Sequence, residues 1–217
     1  MELTKQQIQQ VEIYLDKKSF DFIDLKVEVL DHMVSDIESF LRDNYSFENA
    51  FKITVLKWDS QLKQSSSWLF GIGYAAPKLI IRKAKKLFLK WFILLPIFGI
   101  TPFLLLDKVN LILPKNIIDS FNLSFQIMTI LCSLFFTYFL LAEVKNKTKT
   151  TYRFILNSQK INYLFGIFLF FDFDFINNQG VVNNYQIGLL FIYVLSAVTY
   201  FYFLKKHKKA IKKYQIS

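Results

Sequence analysis

The residues best suited to chemistry in this chain are carboxylates, and four of them share one helix face. Asp24, Glu28, Asp31 and Glu38 fall within an arc of about 80° when each residue turns by about 100°. Such a face is either plainly solvated or a docking surface for a basic partner. His32 flanks it, so Glu28 and His32, with Asp31 between them, have the spacing of two metal ligands. One such copy does not make a two-metal carboxylate site, and the single Cys and two His leave no structural zinc set. No metal is expected, and His32 should instead hydrogen-bond Glu28 one turn back. Asp172 and Asp174 follow an uncharged run. An ionisable group inside hydrocarbon is a functional candidate, whereas one at the wet end of a span costs little. Asp-x-Asp also serves as a metal site in sugar transferases, but nothing here supplies a nucleotide-binding context. Gly71-Ile72-Gly73 lacks the strand and third glycine of a dinucleotide loop. No cofactor is expected and no catalytic motif is evident, so the chain does not read as an enzyme.

A second polar set lies in an apolar stretch. Asn122, Gln126, Thr129, Ser133 and Thr137 repeat at intervals of four, three, four and four, again within about 80° on a helix. Polar groups in lipid must face protein or water, because unsatisfied ones are costly there. The stripe is either interhelical glue or one wall of a substrate or ion path.

The elements that carry these residues follow from composition. The chain has 217 residues, 53% of them apolar and 25 of them Phe, with a net charge of +10. Disorder, collagen-like repeats and a disulfide scaffold are excluded. Charge is unevenly spread: residues 1–63 hold 8 basic and 12 acidic side chains, and the other 19 basic and 5 acidic ones follow. Four apolar stretches lie in the basic part: Leu87–Leu106, Ser120–Ala142, Ile161–Asn178 and Tyr185–Leu204. About 20 helical residues cross the ~30 Å hydrocarbon core. The third stretch is long enough only if it carries its aspartates; a re-entrant third segment with three spans is the competing arrangement.

Basic residues alternate between the connections. Lys78, Arg82, Lys83, Lys85, Lys86 and Lys90 precede the first span, and Lys145, Lys147, Lys149, Arg153 and Lys160 separate the second from the third. Lys205, Lys206, Lys208, Lys209, Lys212 and Lys213 follow the fourth, while the opposite connections hold only Lys108 and Lys115. This positive-inside pattern puts both termini in the cytoplasm of an inner-membrane protein. Arg82, Lys85, Lys86, Lys205, Lys206, Lys208 and Lys209 would meet anionic headgroups. The polybasic tail follows a span directly, so lipid rather than nucleic acid is its expected partner.

Before the spans, Thr4-Lys5-Gln6-Gln7 fits a capping box, followed by Ile8, Val11 and Leu15 at helical spacing. Asp21 or Asp24 can cap a second helix. Its apolar stripe runs Ile23, Val27, Leu30, Val34, Ile37 and Leu41, widened by Val29, Met33 and Phe40. Asn44 suits a helix end, and Ser46 can cap a third helix with Phe47, Phe51, Val55, Trp58 and Leu62 on one face. The expected architecture is all-α: a three-helix cytosolic module over 1–63, a linker and interfacial basic segment over 64–86, a four-helix membrane domain over 87–204 and a polybasic tail over 205–217. A module this small is marginal alone and would gain from a partner or from homo-oligomerisation.

Asp24-Leu25-x-x-Glu28, continuing through His32 to Ile37-Glu38, and Ser46-Phe47-Glu48-Asn49-Ala50-Phe51 resemble the HAAS-type helical signalling domain. That family joins a short three-helix cytosolic domain to several spans and often accompanies PadR-like transcriptional repressors. The resemblance covers about residues 4–63. Lys57-Trp58-Asp59-Ser60 stand where the family has a Leu-Gly-x-Pro stop. It implies a membrane-anchored regulatory protein with a transcriptional repressor as partner class, and the acidic face of Asp24, Glu28, Asp31 and Glu38 is the expected docking surface. The alternatives are a small transporter or channel subunit using the polar stripe and Asp172, and a membrane-embedded enzyme acting on lipid.

Overall fold

The computed structural model describes residues 2–109, 112–144, 147–171 and 173–214. Asp172 and Lys145 lie outside the described residues. The chain is mostly helical, in the order α1 (Lys5–Lys17), α2 (Ile23–Arg42), α3 (Phe47–Leu62), β1 (Gln64–Ser67), β2 (Gly71–Pro77), α4 (Lys78–Val109), α5 (Lys115–Val144), α6 (Thr151–Gln159), α7 (Leu164–Phe171) and α8 (Asn184–Tyr214). Short 3-10 turns occupy Trp68–Phe70 and Lys160–Tyr163. The chain divides into two compact units. One takes its described residues from 1–86, 148–155 and 206–217, the other from 87–147 and 156–205.

The first unit begins as the sequence implies. Thr4 caps α1: its Oγ1 accepts from Gln7 N–H, and the Gln7 side chain accepts from Thr4 N–H, which satisfies two otherwise unpaired donors. Ser46 caps α3 by accepting from Asn49 N–H. Two turns use left-handed residues, Ser19 after α1 and Asn44 after α2. The apolar face of α2 differs from the expected one. Leu25, Val29, Met33 and Ile37 form its core-facing line at intervals of four, whereas Val27 is 49% exposed. They pack with Val11, Leu15, Phe20, Ala50 and Leu62, all nearly or fully buried. Asp36 ties α2 to α3, accepting from Lys57 Nζ at 2.8 Å and Trp58 Nε1 at 3.0 Å. Burial raises the Asp36 pKa, but these hydrogen bonds outweigh it, and the carboxyl lies below the ordinary range.

The segment 64–77, expected as a linker, is a bulged antiparallel hairpin pairing Gln64 with Pro77 and Ser65 with Ala76. A 3-10 turn and Gly71, at φ +87, reverse the chain. A side chain at that φ is strained. Trp68 and Ile72 at this hairpin are 74% and 85% exposed.

Three described helices are long and apolar enough to cross a membrane: Lys78–Leu106, Lys115–Ala142 and Asn184–Tyr214, as in a multi-pass membrane protein. The apolar window of α8 is 61% buried, against 11% and 17% for α4 and α5, so α8 is the core helix and the other two turn most of their apolar surface outward. Gly188 meets Gly99 backbone to backbone: a Cβ at Gly188 would lie 2.6 Å from the Gly99 carbonyl oxygen. Small residues allow such close helix approach in lipid. Gly166 of α7 faces the Tyr193 ring, 2.7 Å from where its Cβ would stand.

The third apolar stretch is not one long helix. Its α-helical part, α7, has 8 residues, and from Phe173 the described chain is non-helical up to α8 and forms a small cap. In that cap Val181 bridges Ile112 and Val182 bridges Ile176. Leu113 N–H donates to the Gly180 carbonyl at 2.9 Å. The Asn183 side chain accepts from Gln186 N–H and starts α8.

Candidate functional site

The polar stripe of α5 forms a bonded column within the second unit. Thr129, Ser133 and Thr137 each donate to the carbonyl four residues earlier, at 2.8–2.9 Å. Ser133 also accepts from Tyr193 OH at 3.0 Å. Thr137 Oγ1 lies 3.0 Å from Tyr163 OH; since the Thr137 hydrogen is already donated, Tyr163 is the donor.

Asn122 and Gln126 have a different task. Asn122 Nδ2 donates to the Ile176 carbonyl at 2.8 Å, and Ile176 N–H donates back to Asn122 Oδ1 at 2.9 Å. Gln126 Nε2 donates to the Phe173 carbonyl at 3.0 Å. The Ile176–Val182 bridge uses the backbone of Phe175 and Asn177, so the Ile176 peptide groups turn to α5. The two amides therefore pair backbone left open where α7 stops. Tyr163 lies beside Thr137 and Ile176 beside Asn122, so the two ends of the third stretch are separated along α5 by the rise from Asn122 to Thr137, about 22 Å.

The carboxylates of α2 divide. Glu28 and Asp31 are exposed, while Glu38 is half-buried and accepts from Leu3 N–H at 3.1 Å. Asp24, expected on the docking face, is instead buried, with 3% of its side chain exposed. Other segments of the first unit cover that turn of the helix. Asp24 Oδ1 accepts from Thr151 N–H at 2.8 Å, and its Oδ2 lies 3.3 Å from Lys83 Nζ. The first N–H of α2, on Ile23, donates to the Lys149 carbonyl at 3.1 Å. So α2 and α6 start against each other: a backbone carbonyl preceding α6 closes α2, and a carboxylate of α2 closes α6. Asp24 therefore caps α6, and neither it nor Asp21 caps α2, whose N-cap is Phe22 with no side-chain bond. A carboxylate is favourable at a helix N-terminus because unpaired N–H groups and the helix dipole face it. Thr150 completes the α6 start, accepting from Arg153 N–H at 3.0 Å and sharing a 2.8 Å hydrogen bond with His207 Nδ1. His32, expected to bond Glu28, stacks on Trp58 with centroids 6.4 Å apart.

Beside Asp24 lies a cavity of about 200 Å³, lined by Lys83, Tyr152, Lys206, Lys209, Ala210, Lys213 and Tyr214. Of the expected headgroup residues, only Lys206 and Lys209 line it; Arg82, Lys85, Lys86, Lys205 and Lys208 are exposed elsewhere. Lys83 and Lys213 stand out in the sequence only as members of the basic clusters that flank the spans, and Tyr152 does not stand out at all. The spacing of Lys206, Lys209 and Lys213, three then four, is the signal that groups the α8 lysines. No group of three or more His, Cys, Asp and Glu is placed to hold a metal among the described residues.

A second cavity, about 440 Å³ and wholly apolar, opens in the membrane unit between Pro102, Leu105, Phe121, Phe125, Ile176 and Phe191.

No family model, curated protein or solved structure matches the chain.

Proposed function

We propose that the chain is a four-crossing inner-membrane protein with both termini in the cytoplasm, which acts in regulation by binding a basic protein partner through α2. The alternation of basic residues supports the orientation. The fourth crossing is supported by the separation of Tyr163 and Ile176 by about 22 Å along α5. A probe on a cysteine at Gln179, in a Cys132→Ser background, should label intact cells from outside. Labelling only after the membrane is opened would remove the fourth crossing.

The observation that carries the binding role is the exposure of Glu28 and Asp31 on a helix whose first turn is fixed within its unit by Asp24. Anchored carboxylates on a rigid element select partners by charge and speed encounter. A transcriptional repressor is the partner class that the HAAS resemblance implies. The internal pairing of the α5 column favours binding over a transport path. Capture of partner from lysate by the full-length protein in detergent should fall about tenfold or more in a Glu28→Lys, Asp31→Lys variant, since juxtaposed like charges cost several kcal/mol. Undiminished capture would leave α2 as a merely solvated face.

A further inference from the structure

The lysine-lined cavity of the first unit is built from three separate elements. Lys83 comes from α4 and Tyr152 from α6, while Lys206, Lys209 and Lys213 come from one face of α8. Ala210 forms part of the wall between the α8 lysines and is only 7% exposed; its small side chain leaves the space open. Four lysines thus line a cavity in which Asp24, bonded to Lys83 and to Thr151 N–H, is the one carboxylate of the lining. A lining of four basic side chains and one acidic one attracts a compact polyvalent anion. Lysine binds phosphate as a point charge.

We infer that this cavity binds the phosphate of an anionic phospholipid headgroup. A soluble phosphate would meet the same lysines. The lipid source is favoured because the three α8 lysines belong to the helix that carries the apolar window of a membrane span, which sets basic side chains at headgroup depth. The tail then does more than lie on a charged surface: it holds one headgroup in a defined place. This goes beyond the partner reading and does not depend on it.

The test uses the full-length protein in a neutral detergent and three probes: a short-chain phosphatidylglycerol, a phosphatidylcholine of equal chain length, and inorganic phosphate. Phosphatidylglycerol should bind and phosphatidylcholine should not. Changing Lys206, Lys209 and Lys213 together to Gln should weaken phosphatidylglycerol binding about 100-fold, at about one kcal/mol per lysine. Lys83 stays intact because it holds Asp24. The control changes Lys205, Lys208 and Lys212 to Gln, the same charge lost from equally exposed positions of the same helix that do not line the cavity. The control should bind nearly as the parent does. Equal losses in the two triple variants would reduce the effect to diffuse charge and overturn the site. Inorganic phosphate binding as tightly as phosphatidylglycerol would overturn the lipid assignment in favour of a soluble anion. Equal binding of phosphatidylcholine would overturn anion recognition.

Discussion

Asn122→Leu is expected to destabilise the membrane unit by about 2–6 kcal/mol. The substitution leaves two buried backbone groups of Ile176 without partners, and each such group costs about 1–3 kcal/mol. Ile176 is 2% exposed, so water does not readily replace the lost amide. Gln126→Leu orphans a single carbonyl, that of Phe173, and should cost about half as much on the same scale. Asn122→Asp keeps an acceptor for Ile176 N–H but sets a carboxylate against the Ile176 carbonyl, so it should rescue little. Thermal unfolding of the purified protein in detergent gives the ranking: parent, then Gln126→Leu, then Asn122→Leu. If Gln126→Leu proves the more damaging, the Asn122 clamp is not what holds the broken segment.

The second large effect is expected at Asp24. Asp24→Ala removes the carboxylate from Thr151 N–H and strips Lys83 of its partner. Breaking a buried pair costs about 3–5 kcal/mol. The Lys83 side chain is 31% exposed, so water recovers part of its solvation and a cost of about 3 kcal/mol is expected, at the low end of that range. Asp24→Asn keeps an oxygen for Thr151 N–H and should lose less. Hydrogen–deuterium exchange reads the site directly, because the first-turn amides of α6 should exchange faster in Asp24→Ala while those of α3 stay protected. Unchanged protection at Thr151 would remove Asp24 as the cap of α6.

Local signals in the sequence carried much of this fold. The caps at Thr4 and Ser46 need only residues three positions apart, and the three long apolar helices need only composition and length. The α5 stripe was legible as a stripe because helix periodicity alone aligns it. Its use was not legible, since Asn122 and Gln126 pair with residues 54 and 47 positions away. The same holds for Asp24. On a helical wheel it belongs with Glu28 and Asp31, and only the arrival of Thr151 and Lys83 distinguishes it from them. The third apolar stretch misled by composition. Its hydropathy suits a span whether the backbone is helical or not, and the amides that make a non-helical end tolerable sit on another helix. The hairpin at 64–77 was missed because its serines and glycines resemble a linker, and the pairing of Gln64 with Pro77 has no local pattern.

The reciprocal closure of α2 and α6 sets an order of events during synthesis. Asp24 and Thr151 lie 127 residues apart. At about 5–20 residues per second, a ribosome reaches Thr151 roughly 6–25 s after Asp24 has been made. Lys206, Lys209 and Lys213 of the same unit come later still. The first helices can therefore acquire their own hydrogen bonds early, but the acidic turn of α2 must wait uncovered until the two long apolar helices α4 and α5 have been made. Under the proposed topology, the finished junction forms only in chains whose later segments have been delivered to the side that holds α2, so that correct insertion would be recorded at a residue near the start of the chain.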